Sequence, residues 1–116
     1  MTHRKKERKL GRKIGPRKAL AKNLITSLIL HNKIKTSKAK AKFIQPKVER
    51  IITIAKKKTL ASKRRIHALL VNKKAEKKVT AELAEKYKER KSGFTRILKI
   101  KRRKGDGAEM VQIEFV

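Results

Sequence analysis

Cysteine and tryptophan are absent from this chain of 116 residues, and aromatic residues make up only 3% of it. The lack of cysteine excludes disulfide bonds and zinc sites with cysteine ligands. Because aromatic rings are so few, recognition of nucleic-acid bases by stacking is not expected. No apolar run reaches the roughly 18 residues that a membrane-spanning helix needs. Three functional classes are therefore disfavoured before any motif is considered.

Acidic residues are also scarce. Nine Asp and Glu stand against 37 Lys and Arg, which gives a formal net charge of +28. Self-repulsion on this scale destabilises a compact state unless a partner supplies counter-charge. The imbalance is greatest in the first half, because seven of the nine acids lie at or after Glu76. The charge favours nucleic acid as the partner over acidic proteins or anionic lipid.

Groupings that support catalysis or metal binding are missing as well. His3, His31 and His67 show no metal-ligand spacing and are better explained as hydrogen-bonding or stacking residues. The Gly-Asp-Gly sequence at 105–107 is too short for a phosphate-binding loop and predicts a turn. The glutamates of residues 82–89 are explained by ion pairing on a helix surface. We therefore predict no enzyme, no cofactor and no small-molecule substrate.

The most basic segment is HRKKERKLGRKIGPRK, residues 3–18, with nine Lys or Arg and two large apolar residues. So few apolar residues cannot anchor an amphipathic helix in a membrane, and neither a secretory signal nor a transit peptide is expected. Over residues 1–15 we predict an extended arm whose paired cations meet phosphates on both sides of a nucleic-acid groove. The pairs are Arg4/Lys5, Arg8/Lys9, Arg12/Lys13 and Arg17/Lys18.

Residues 16–116 are expected to form a single domain. Apolar residues recur at helical spacing in four segments, of which the first, second and fourth have suitable starting residues in Pro16, Ser37 and Asn72. Pro46 lies inside the second segment and predicts a kink or two abutting helices.

Three β-prone segments complete the pattern: KIKT at 33–36, and the two segments that flank KGDG at 104–107, which predict a hairpin. The predicted class is α/β of the α+β kind, a two-layer domain of order α-β-α-α-α-β-β. Its helices pack on a small three-stranded mixed sheet.

The first hairpin segment is unusually basic. Strict alternation would place Leu98 and Ile100 on one face and the intervening lysines on the other. Protection of an edge strand needs fewer charges than occur before Asp106, so a strand facing phosphates is preferred. A third basic patch, at 63–65, fits a solvated helix face and an RNA contact equally well. The hairpin cations are Arg96, Lys99, Lys101, Arg102, Arg103 and Lys104.

Three blocks of sequence stand out together: HRK…RKLGR…RKALAKNLITSLI at the start, IKTSKAKAK followed by IITIAK, and the closing YKERKSGFTRILKIKRRKGDGAEMVQIEFV. In this order they resemble the bacterial large-subunit ribosomal protein family numbered seventeen, nearly end to end. Ser92 and Phe94 stand where glycine and tyrosine are usual. A phenyl ring at 94 loses a possible hydrogen bond and keeps its packing role. Residues 57–78 match least.

The resemblance implies a structural constituent of the large (50S) subunit in the bacterial cytoplasm. It implies binding to 23S rRNA near the peptide-exit side, beside other proteins such as the one numbered thirty-two, and a two-layer α/β fold. By position it implies RNA contacts from His3, Arg4, Lys5, Arg8, Lys9, Arg12 and Arg17 in the arm, and from Lys35, Lys40, Lys42, Arg96, Lys99 and Arg103 in the domain. The charge pattern adds Lys13, Lys18, Lys101 and Arg102.

Two other classes of protein compete on charge alone. A DNA-compacting architectural protein would fit the lack of helix-turn-helix, zinc-finger and RNA-recognition motifs. A cationic membrane-active protein would require lipid-induced helicity in the arm.

Overall fold

The computed structural model describes residues 13–116, so most of the predicted arm lies outside the described residues. The same holds for six predicted RNA contacts: His3, Arg4, Lys5, Arg8, Lys9 and Arg12. The helices are α1 (Ile14–His31), α2 (Lys38–Lys56), α3 (Leu60–Leu69), α4 (Lys73–Lys78) and α5 (Ala84–Lys86), and the strands are β1 (Lys33–Ser37), β2 (Thr95–Arg102) and β3 (Glu109–Phe115). A π-helical segment, Val79–Leu83, joins α4 to α5 in one continuous helix. The predicted order of elements is confirmed.

A left-handed residue separates α1 from β1. Asn32 has φ 68° and donates its backbone N–H to the carbonyl of Leu28 at 2.7 Å, which caps the last turn of the helix. The Asn32 carbonyl then accepts the N–H of Phe115 at 3.2 Å. The end of α1 is thereby attached to the sheet, and β1 starts at the next residue.

The predicted cap of α2 is confirmed, because the Ser37 hydroxyl accepts the backbone N–H of Lys40 at 3.4 Å. The prediction of two abutting helices is wrong: α2 runs unbroken from Lys38 to Lys56 with Pro46 inside it. Proline removes one backbone donor, but Ala41, Ile44 and Val48 on either side of it are buried. Apolar burial along this face keeps the helix continuous.

The next two helices start at side-chain caps. Thr59 and Ser62 form a reciprocal capping box at α3. The Asn72 side chain accepts the N–H groups of Lys74 and Ala75 at 2.7 and 3.4 Å, as predicted for the fourth helix. These caps explain why the two helices begin where they do in a segment rich in lysine.

The three strands lie in the order β1-β3-β2, with both pairings antiparallel. The prediction of a mixed sheet is therefore wrong. A parallel pairing would require β1 beside β2, and β3 occupies the position between them. The hairpin makes β3 antiparallel to β2, and β3 also runs antiparallel to β1.

The hydrophobic core lies between the sheet and the helices. Ile113 at the centre of the sheet is fully buried, with Val111 and Phe115 on the same face as predicted. Phe94 is 1% exposed and packs on Tyr87 at a ring-centroid distance of 5.1 Å, which confirms its packing role. The Tyr87 hydroxyl donates to the backbone oxygen of Val116 at 2.7 Å. The domain thus has two layers, and only the inner side of the sheet is covered by helices.

A β-bulge changes which residues of β2 share a face. Lys99 pairs with Val111 and Lys101 with Met110, so Ile100 has no partner on β3. The predicted alternation holds up to Lys99 and is wrong beyond it. Because of the extra residue, Lys101 returns to the face that carries Leu98.

Candidate nucleic-acid interface

The side of the sheet opposite the helices carries most of the cations of its strands. The strand register arranges it in three rows of three residues. We call this surface the outer sheet face; its rows are Lys33–Glu114–Arg96, Lys35–Gln112–Leu98 and Ser37–Met110–Lys101. Each of these nine residues is exposed or half-buried.

The outer sheet face brings together Lys35, Arg96 and Lys101, which were predicted as RNA-binding residues from distant parts of the sequence. Lys33 belongs to the same surface and was missed. The signal was available, because alternation in the strand KIKTS places Lys33 and Lys35 on one face. Four cations and one carboxylate therefore occupy one open surface.

The single carboxylate of the outer sheet face, Glu114, is tightly held. Its Oε2 accepts from Arg96 Nε at 2.8 Å and lies 2.6 Å from Arg96 NH2, and its Oε1 accepts from Gln112 Nε2 at 2.5 Å. The hydrogen bonds from Arg96 and then from Gln112 lower the pKa of Glu114 below its ordinary value. Glu114 therefore stays ionised at neutral pH and orients the Arg96 guanidinium.

Leu98 gives the outer sheet face an apolar element, being 43% exposed beside the half-buried Met110. The unpaired Ile100 of the bulge is 40% exposed. Neither was predicted to lie open to solvent. These side chains offer contact area to sugar or protein groups next to the cations.

The hairpin turn contains two further predicted RNA contacts, both with partners inside the turn. Arg103 donates from Nε and NH2 to the Asp106 carboxylate at 3.2 and 2.6 Å, and Arg102 donates to the carbonyl of Gly107 at 3.1 Å. The hydrogen bond from Arg103, reinforced by the N–H of Ala108, lowers the pKa of Asp106 to about 2. The turn is thus held in shape by the residues that were assigned to RNA.

A second carboxylate links the hairpin to the start of α2. Glu109 lies 3.4 Å from Lys38 Nζ and 3.5 Å from Lys99 Nζ. Desolvation acts to raise the pKa of Glu109, but the hydrogen bonds and charges of Lys38 and Lys99 lower it overall. Lys99, a predicted RNA contact, therefore shares its carboxylate with a residue of another element.

Other predicted contacts lie on helices. Lys40 and Lys42 occupy the first turns of α2, directly after β1, and Lys42 is exposed. Lys13, Arg17 and Lys18 lie at the start of α1. That end is roughly 27 Å along the helix from its junction with β1, at 1.5 Å per residue. Helix α1 therefore sets them apart from the outer sheet face.

The third basic patch lies on α3, where Lys63, Arg64 and Arg65 are all exposed. This helix packs against α2 and α4. Nearby, His67 Nδ1 lies 3.0 Å from a carboxylate oxygen of Glu76, which confirms the hydrogen-bonding role expected for this histidine.

Within residues 13–116, no group of three or more His, Asp or Glu side chains could hold a metal ion. In the same range no helix is both long and apolar enough to span a bilayer.

A small α+β domain with one helix-covered and one open, cation-rich sheet face defines a basic structural protein of the ribosomal class. A family model described as Ribosomal protein L17 matches residues 20–116. The large ribosomal subunit protein bL17 of Fusobacterium nucleatum is 47% identical over 116 residues, which is 100% of both chains. Those of Hydrogenobaculum sp. and Thermomicrobium roseum are 48% and 46% identical, each over 100% of this chain and 99% of theirs. The chain belongs to the ribosomal protein L17 family.

Family membership confirms the resemblance seen in the sequence. It also confirms that the chain is a structural component and not an enzyme.

Proposed function

We propose that the protein is a cytoplasmic structural constituent of the bacterial large ribosomal subunit and binds its 23S rRNA through the outer sheet face. The observation that carries this proposal is the grouping of Lys33, Lys35, Arg96 and Lys101 on a surface that no helix covers. The curated relatives bear the name large ribosomal subunit protein.

The chemistry of this surface suits the sugar–phosphate backbone of folded RNA. Lysine ammonium groups act as mobile point charges on phosphates, whereas Arg96, oriented by Glu114, presents its remaining guanidinium donors in a fixed direction. No aromatic ring lies among the nine residues of the face, so bases are not read by stacking. The face reads the shape and charge of RNA rather than its sequence.

We further propose that the protein acts as a clamp on rRNA. The basic arm of residues 1–15 contacts one RNA element and the domain of 16–116 contacts its neighbours. The arm supplies His3, Arg4, Lys5, Arg8, Lys9, Arg12 and Lys13, and the domain supplies Arg17, Lys18, Lys35, Lys40, Lys42, Arg96, Lys99, Lys101, Arg102 and Arg103. Other large-subunit proteins lie next to it, among them the one numbered thirty-two. This assignment is supported by the charge pattern and by the family.

The test is incorporation into particles. Tagged protein, expressed in a bacterium, is expected to comigrate with the large subunit through a high-salt sucrose gradient and to crosslink to 23S rRNA. A DNA-compacting protein would leave the subunit at high salt and bind duplex DNA as tightly as rRNA. That outcome would overturn the proposal, as would recovery of the protein with anionic vesicles in place of particles.

A further inference from the structure

A second basic surface lies between α3 and the helix formed by α4, the π-helical segment and α5. Two adjoining cavities of about 230 and 300 Å³ share Lys63 and Thr80 in their walls and form one groove. We call it the α3–α4 groove. Helix α3 packs on α2 and α4, whereas the outer sheet face is the side of the sheet away from the helices. The two surfaces are therefore separate.

The floor of the groove is made of small side chains. Ala55, Ser62 and Ala81 line one cavity, and Thr80 lies where the two cavities meet. The Thr80 hydroxyl already donates to the backbone oxygen of Glu76 at 3.0 Å, and Ser62 donates to that of Thr59 at 2.8 Å. These hydroxyls shape the groove, and any charge recognition comes from its rim.

The rim is cationic and largely uncompensated. Lys58 pairs with Glu85, and Glu76, the one acid that lines the groove, is engaged by His67 at 3.0 Å. The remaining rim cations, Lys63, Lys73 and Lys77, have no carboxylate within ion-pair distance in the described part of the chain.

The spacing of the rim lysines carries a cost. Lys73 and Lys77 are four residues apart on one helix, and like charges at that spacing destabilise a helix. Lys63 adds a third positive charge from the facing helix. A bound polyanion relieves this repulsion.

We infer that the α3–α4 groove binds the sugar–phosphate backbone of a second RNA segment, so that the protein bridges two RNA segments on separate surfaces. This inference rests on the proposed function in that it requires RNA to be the partner. An acidic peptide fits less well, because peptide anchoring needs an open apolar pocket, and the one large apolar residue that lines the groove, Ile66, is 1% exposed.

A bridging assay with the full-length protein tests the inference. An immobilised RNA duplex of about 16 base pairs captures the protein, and a second, fluorescent duplex then reports on bridging at about 0.15 M salt. The groove variant is K63Q/K77Q. Its matched control, R64Q/K74Q, removes the same charge from the same two helices at exposed positions that do not line the groove.

The groove variant is expected to bind the immobilised duplex but to capture at least about tenfold less of the second duplex, because each lost phosphate contact lowers the salt slope by about 1. The control variant is expected to capture as much as the unmodified protein. Equal capture by the groove variant, or release of the second duplex by a polyglutamate peptide but not by excess RNA, overturns the inference and leaves the proposed function intact. If the unmodified protein does not bind the first duplex, the proposed function itself fails. Circular dichroism checks that all variants are folded.

Discussion

Arg96 on β2 and Glu114 on β3 lie directly opposite each other on the outer sheet face, with Arg96 NH2 2.6 Å from Glu114 Oε2. Lys33 is the partner of Glu114 on the other side, so one carboxylate stands between two cations in a single row. Glu114 therefore orients an arginine and at the same time reduces the positive charge that the proposed RNA surface presents.

Removing this carboxylate should strengthen RNA binding. In Glu114→Gln the amide can still accept a hydrogen bond from Arg96, while the face gains one unit of net positive charge. We expect the affinity for a 23S rRNA fragment to rise severalfold at low salt and the gain to shrink as salt screens it. Filter binding measures this. Glu89→Gln, at an exposed position outside the sheet, is the control and should leave the affinity unchanged.

Removing two lysines from the outer sheet face should weaken RNA binding and its salt dependence together. Lys35→Gln/Lys101→Gln is expected to lower the log–log salt slope by about 2, which corresponds to two lost phosphate contacts. Lys88→Gln/Lys91→Gln removes the same charge from exposed positions beyond α5. If both variants lose the same slope, net charge rather than this face governs binding.

The hairpin turn should show an unusual carboxylate titration. The pKa of Asp106 is about 2, below its ordinary value of 3.8, because Arg103 and the Ala108 N–H stabilise the charged form. A depressed pKa means that the ion pair stabilises the turn above about pH 4 and that this contribution is lost as the pH falls through about 2. Carbon-13 NMR of the carboxyl group measures the midpoint.

Arg103→Gln supplies the comparison for this titration, since the Ala108 N–H remains. Its midpoint should move back toward 3.8. A wild-type midpoint already near 3.8 would contradict the ion pair.

The two faces of the sheet should respond very differently to truncation. Ile113 is fully buried, so Ile113→Ala is expected to lower the free energy of unfolding by about 2–5 kcal/mol. Leu98 is 43% exposed on the outer sheet face, so Leu98→Ala should cost well under about 1 kcal/mol. Urea denaturation compares the two. A large loss in Leu98→Ala would mean that Leu98 faces the core.

Deletion of residues 1–12 should separate binding from folding. The buried apolar side chains of the described domain begin at Ala21, so the far-ultraviolet helical signal should be nearly unchanged, while affinity for 23S rRNA falls because six of the 37 Lys and Arg are removed. Loss of the helical signal would show that the segment is required for the fold.

Local patterns determined much of this protein from the sequence alone. Apolar spacing predicted the helices and the inward face of β3, and Ser37 and Asn72 were recognised as caps, because these preferences depend on residues within a turn or two. The family resemblance and the excess of positive charge indicated a ribosomal RNA-binding protein. None of these inferences required knowledge of contacts between distant parts of the chain.

Tertiary structure decided the rest. The position of β3 between β1 and β2 made the sheet antiparallel, and pairing with β3 exposed the bulge at Ile100 that moves Lys101 to the face of Leu98. The same pairing sets Lys35, Arg96 and Lys101 on one surface, and the packing of α3 on α4 forms the groove that collects the rim lysines. Strand register and helix packing join residues far apart in the chain. Local propensity and spacing carry no information about them.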